Sequence, residues 1–139
     1  MKADFRLLNK VKTYSDCKRR QVAAVIRNYY GEIQGLGYNK VILGKEYCCR
    51  REGCKPGEDL FNCNAVHAEV MAIIDAAQRG KHIKGCTIYI THFPCVNCMR
   101  IIAASGIKSI EYNEEYSENK EEALKIAERY GIKIKKIEV

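Results

Sequence analysis

From residue 86 to the C-terminus, short β-rich runs trade places with longer segments of helical period. "CTIYIT" (86–91), "IKSIEY" (107–112) and "IKIKKIEV" (132–139) read as strands. Residues 95–105 and 118–130 read as helices halted by Gly106 and Gly131. A β-α-β-α-β run of this kind calls for parallel strands with right-handed crossovers and helices packed on a central sheet. The helix over 118–130 makes the fourth and fifth strands parallel rather than a hairpin.

Upstream, residues 4–14 predict an amphipathic helix, with Phe5, Leu8 and Val11 spaced by three. Residues 21–28 and 33–38 predict two strands joined by a turn at Gly31. A further helix is expected over 65–78, ending at Gly80. The order is α-β-β-α-β-α-β-α-β: an α/β fold with a five-stranded mixed sheet. At 139 residues, 1–139 forms a single domain. Residues 39–64 are long, irregular and cysteine-rich, and a loop of that length needs something to hold it.

About half the chain is apolar, enough for a core, yet no run approaches the roughly 20 apolar residues of a membrane helix. The N-terminus "MKADFRLLNKVKTY" lacks the apolar stretch of a secretory signal. The expected location is the cytoplasm, or the host cytoplasm for a viral source. In a reducing compartment the eight cysteines point to metal rather than to disulfides. Disulfides stay open for an extreme thermophile. The excess of 24 Lys+Arg over 17 Asp+Glu suits a nucleic acid or a phosphorylated small molecule, and also serves solubility.

Two stretches carry the chemistry. "NCNAVHAEVMAII" (62–74) places His67 two residues before Glu69, and "THFPCVNCMRII" (91–102) places Cys95 three before Cys98, just after Pro94. Both sets open predicted helices, where free N–H groups favour thiolate over thiol. Cys95 and Cys98 share a helix face and can grip one ion, whereas residues two apart diverge. One imidazole and two thiolates make the open three-ligand arrangement of a catalytic zinc, with a fourth position left for water. Glu69, offset from the ligands, is free to carry protons. Alone, Cys-x-x-Cys reads equally as a redox pair or half a structural zinc site. His-x-Glu followed by Pro-Cys-x-x-Cys is the signature of zinc deaminases.

The chain resembles the cytidine deaminase superfamily, and within it the deoxycytidylate (dCMP) deaminases. The likeness rests on "CKRRQVAAVI" (17–26), "GLGYN" (35–39), "VHAEVMAII" (66–74), "GCTIYITHFPCVNC" (85–98) and "IIAASGIKSIEY" (101–112). It implies a three-layer α-β-α sandwich and the hydrolytic deamination of dCMP to dUMP, which supplies dUMP for thymidylate synthesis. His67, Cys95 and Cys98 carry over as zinc ligands and Glu69 as the catalytic proton carrier. Asn39 and Ala68 carry over as substrate contacts, Asn39 toward a 3′-hydroxyl, although an Asn after a strand is also an ordinary turn residue. Some members hold a second, structural zinc, for which Cys17, Cys48, Cys54 and Cys63 are the candidate set, with Cys49 as a substitute. Cys86, inside a strand, reads as core.

A 5′-phosphate requires cations. Arg19 and Arg20 are the first candidates, with Lys18, Arg50 and Arg51 beside them. Phe93 is a candidate to stack on the base. The expected partners are a small nucleotide and further copies of the chain in a homo-oligomer, with no membrane and no requirement for nucleic acid. "GYNK" in place of the family's "GYNG" puts regulation by dCTP or dTTP in doubt. Met71 stands where the family usually has Asn. Met there, with the net charge of +7, favours the alternatives: a transfer-RNA adenosine deaminase or another polynucleotide deaminase. A non-enzymatic zinc module is the remaining reading, and Glu69 argues against it.

Overall fold

The computed structural model describes residues 2–17, 20–47, 64–115 and 119–138. The chain opens with α1 (Lys2–Val11), followed by a 3-10 turn, Lys12–Tyr14. The strands β1 (Ala23–Arg27) and β2 (Ile33–Tyr38) come next, then β3 (Lys40–Val41) and β4 (Ala65–Val66). The remaining elements are α2 (Ala68–Gln78), β5 (Thr87–His92), α3 (Val96–Ser105), β6 (Ser109–Glu114), α4 (Lys120–Arg129) and β7 (Lys133–Lys136).

The main sheet runs β2-β1-β5-β6-β7. β1 is antiparallel to both β2 and β5, while β5, β6 and β7 are parallel to one another. The expected five-stranded mixed sheet is present, with its fourth and fifth strands parallel. Period-two alternation divides each strand between two cores. Ala24 and Ile26, Ile88 and Ile90, and Ile110 and Tyr112 face a core shared with α2, α3 and α4. Ala23, Val25 and Tyr89 face the opposite side, where Phe5, Leu8 and Val11 of α1 close over them. One helix on one face and three on the other make the three layers.

Several boundaries depart from the sequence reading. The first helix ends at Val11, and residues 12–14 tighten into the 3-10 turn. The helix expected from residue 65 begins at Ala68, because Ala65 and Val66 pair with Val41 and Lys40 in a separate two-stranded ribbon. α4 is trimmed to Lys120–Arg129. The last strand, Lys133–Lys136, is shorter than the expected 132–139 and runs parallel to β6 from Ser109 to Tyr112. The stop at Gly106 is borne out: it caps α3 at φ 87°, a left-handed conformation that glycine adopts without a Cβ penalty.

α2 lies unusually close to β2. A Cβ on Gly35 would come within 2.2 Å of the Ala72 carbonyl oxygen, and one on Gly37 within 2.4 Å of the Ala72 nitrogen. The two glycines of "GLGY" let the helix backbone rest directly on the strand. The Asp75 carboxylate adds a clamp by accepting a 2.9 Å hydrogen bond from the Leu36 N–H. This seating fixes the height of the first turn of α2, which carries the site.

Candidate metal centre

Two helix N-termini meet, and the same local device builds both. His67 is the N-cap of α2 with extended backbone (φ −65°, ψ 151°), and Cys95 is the N-cap of α3 with φ −68° and ψ 168°. Each caps in the ordinary way: its carbonyl accepts the first helical bond, from Met71 N–H at 2.9 Å and Met99 N–H at 2.8 Å. The ribbon strand β4 delivers the chain to His67, and β5 with Phe93 and Pro94 delivers it to Cys95. The Phe93 N–H, held at 2.8 Å by the Glu114 carbonyl, anchors that approach.

His67 Nδ1 lies 3.2 Å from Cys98 Sγ and 3.6 Å from Cys95 Sγ, and the three donor atoms fall within 4.8 Å of one another. Cys95 and Cys98 are buried and His67 is half-buried. The Cys98 N–H points at Cys95 Sγ, 3.5 Å away. The hydrogen bond from Cys98 holds the Cys95 thiol down to about 4, against the opposing pull of burial. Cys98, sharing that proton and buried, is pushed up. An imidazole beside a ready thiolate and a second thiol in reach is the donor chemistry zinc selects.

Glu69 is buried at the second position of α2. Burial raises its carboxyl above the usual range, and His67 acts in the opposite direction. The divergence of His67 and Glu69 has a different origin from the expected helical phase. His67 is still in extended backbone, and Glu69 is already in the helix. Ala68 between them is buried, its carbonyl turned toward Gly37.

The other expected site residues are placed as follows. Asn39 is buried, and its side chain bridges backbone: Oδ1 accepts from Val22 N–H at 2.9 Å and Nδ2 donates to the Arg20 carbonyl at 2.5 Å. Arg20 lines a cavity of about 610 Å³ with Lys12, Lys45 and His92, residues the sequence reading did not single out. Cys17 is buried on the same wall, and Cys86 is buried against the core. Lys18, Arg19, Cys48, Cys49, Arg50, Arg51, Cys54 and Cys63 lie outside the described residues. Phe93 is 2% exposed and packs edge-on to Tyr112, with Lys120 Nζ 5.0 Å from its ring centre, so it belongs to the core beneath the site.

The profile of the cytidine and deoxycytidylate deaminase zinc-binding region matches residues 3–114. The chain belongs to this zinc-binding deaminase family. It is 35% identical to ComE operon protein 2 of Bacillus subtilis (strain 168) over 126 residues, 90% of this chain and 64% of that protein. It is 44% identical to the deoxycytidylate deaminase of Enterobacteria phage T4 over 98 residues, 70% of this chain and 48% of that one. The chain thus spans between about half and two thirds of these relatives. Among solved structures, the dCMP deaminase of cyanophage S-TIM5, in complex with dCMP and dUMP, superposes with a TM-score of 0.80 at 27% identity. That match covers 98% of this chain and 95% of that one. The family binds zinc, and His67, Cys95 and Cys98 are a group of side chains that could hold such an ion. Among the described residues no helix is long and apolar enough to cross a membrane.

Proposed function

We propose that this chain hydrolyses dCMP to dUMP and ammonia. The observation that carries the reading is the buried Glu69 carboxyl set beside three converging donors without being one of them. The S-TIM5 relative, bound to dCMP and dUMP, supports the substrate. A metal module serving structure alone has no use for a buried, uncoordinated acid at that place.

Zinc in a site with three protein donors supplies Lewis acidity that makes water nucleophilic near neutral pH. The protein supplies the rest. Cys95 and Cys98 arrive on one helix start and His67 on another, so these three residues would hold the ion between two rigid elements. Glu69 accepts a proton from the attacking water and delivers it to N3 of the cytosine ring. The water oxygen forms the bond to C4. Glu69 then carries the second water proton to the exocyclic nitrogen. The C4–N bond breaks, its electron pair leaving with ammonia, and a carbonyl remains at C4. A carboxyl raised by burial suits this alternation, because it binds and releases protons closer to neutral pH than an exposed one.

The test is a side-by-side assay of the zinc-loaded protein with dCMP, dCTP, deoxycytidine and transfer RNA. Uracil product from dCMP, well ahead of the other three, is expected. Inosine formed in the RNA, with dCMP untouched, would overturn the reading.

A further inference from the structure

The three parallel strands are entered through similar tripeptides. Ile83, Lys84 and Gly85 lead into β5, Gly106, Ile107 and Lys108 into β6, and Gly131, Ile132 and Lys133 into β7. In the last two, a glycine at positive φ follows the helix, the isoleucine is buried and the lysine is exposed. Backbone hydrogen bonds lay the entries side by side. The Gly85 N–H donates to the Gly106 carbonyl at 2.8 Å, the Lys108 N–H to the Cys86 carbonyl at 3.0 Å, and the Lys133 N–H to the Lys108 carbonyl at 2.9 Å. Cys95 follows the other end of β5. Lys84, Lys108 and Lys133 therefore form a row, one to a strand, at the end of the sheet opposite the metal centre.

A helix C-terminus favours a cation, and Lys108 Nζ donates to the Tyr130 carbonyl at 3.4 Å in that way. That complement does not use up the charge. Lys81 and Arg129 are exposed beside the row, and Glu128 stands among them. The C-termini of α2, α3 and α4 together offer about one and a half negative charges, which leaves a surplus of roughly two positive charges here. Ion pairs of the described residues engage other cations, among them Arg27, Lys120 and Lys136.

Exposed rings stand at both ends of the row. Tyr130, 53% exposed, lies just before the β7 entry. Tyr29 and Tyr30, 95% and 82% exposed, sit on the turn between β1 and β2. Arg27, just before them, is paired with Thr87 at the start of β5. Rings in solvent beside ammonium groups suit unpaired bases on a phosphate backbone.

We propose that this end of the sheet is a docking surface for single-stranded nucleic acid. Phosphates rest on Lys84, Lys108 and Lys133, and bases stack on Tyr130 and on the Tyr29 and Tyr30 pair. Backbone charge and stacking faces are what the surface recognises, so binding tolerates changes of sequence. The six residues of β5, about 20 Å of strand, separate this surface from the metal centre. The bound strand is thus held away from the zinc ligands, and the inference does not depend on the proposed function.

The test is fluorescence anisotropy of a labelled oligothymidylate with the zinc-loaded protein over a range of salt. Binding is expected, and neutralising three phosphates should raise log Kd by about 2 for each tenfold rise in salt. Replacing Lys84, Lys108 and Lys133 together by Gln should weaken binding at least about tenfold and flatten the salt dependence. The single variant Lys84→Gln leaves the Lys108 hydrogen bond in place and should show part of both effects. Tyr130→Ala should weaken binding at least about fivefold with the salt dependence kept. That loss should vanish on the matching duplex, whose bases are already stacked. No binding, or binding that survives in the triple lysine variant, overturns the proposal. Polyglutamate bound as tightly as the oligonucleotide, with no effect of Tyr130→Ala on either, also overturns it and assigns the surface to an acidic protein.

Discussion

Gly37 and Ala68 meet backbone to backbone: a Cβ on Gly37 would stand 2.6 Å from the Ala68 carbonyl oxygen. The first turn of α2 can rest on β2 only because no side chain intervenes, and that turn follows directly on His67 and carries Glu69. Gly37→Ala is expected to cost about 1–3 kcal/mol by urea denaturation and to weaken zinc retention. Wild-type stability with full zinc content would show that the helix start tolerates being lifted.

Glu69→Gln keeps the size of the side chain and removes the proposed proton carrier. Elemental analysis should find zinc unchanged, while dCMP turnover falls by roughly 10²- to 10⁴-fold. Turnover at the wild-type rate would exclude Glu69 from the chemistry.

Cys98→Ala deletes one of the three proposed zinc donors, at the third residue of α3. The variant should no longer hold stoichiometric zinc, and a chelator should do the same to the wild type, with activity restored by added zinc. The far-UV circular dichroism of both forms should stay native, because Ile88, Ile90, Met99, Ile102 and Ile110 bury their side chains fully in the sheet–helix core. Loss of secondary structure on chelation would show instead that the ion is needed for folding.

Lys120 Nζ lies 2.6 Å from Glu115 and caps the Phe93 and Tyr112 rings at 5.0 and 5.7 Å. The Lys120 hydrogen bond holds the Glu115 carboxyl below its ordinary 4.5. Glu115 in turn holds Lys120 above its ordinary 10.5. The carboxylate's contribution is present above 4.5 and is lost as pH falls through its depressed value. The ammonium's contribution is present below 10.5 and is lost as pH rises through its raised value. Lys120→Met should therefore destabilise the protein across the neutral range, by up to about 1 kcal/mol given the partial exposure of the pair. Thermal melts of the two proteins should converge in strong acid. A gap that widens there would contradict the assignment.

Asn39 satisfies two backbone groups, the Val22 N–H and the Arg20 carbonyl. Asn39→Ala leaves them unpaired and is expected to cost about 1–3 kcal/mol in chemical denaturation. If Asn39 also meets the 3′-hydroxyl, kcat/KM should fall more for dCMP than for its 3′-deoxy analogue. An equal fall for both would confine the residue to its structural role.

Much of this molecule is legible in its sequence, and the parts that are not share a cause. The strand expected over 33–38 has those bounds in the structure, because a hairpin turn and local alternation define it. Gly106 ended its helix as expected, since the need for a left-handed residue is local. α2 starts three residues later than its local sequence suggests, because Ala65 and Val66 pair with residues more than twenty positions earlier. Phe93 was a candidate platform for the base, but strand β6 and helix α4 bury it with Tyr112 and Lys120.

By itself, the order of residues determined which groups are available: an imidazole, two thiols at helical spacing and a carboxyl, each next to a helix start. Chemistry at that scale depends on neighbours a few positions apart, which a sequence states directly. Only the tertiary structure decided that His67 and Cys95, 28 positions apart, bring their ligand atoms to 3.6 Å. It also gathered Lys12, Arg20, Lys45 and His92 around one cavity. Those meetings follow from sheet order and from helix seating on glycine, and both are set by packing between distant segments.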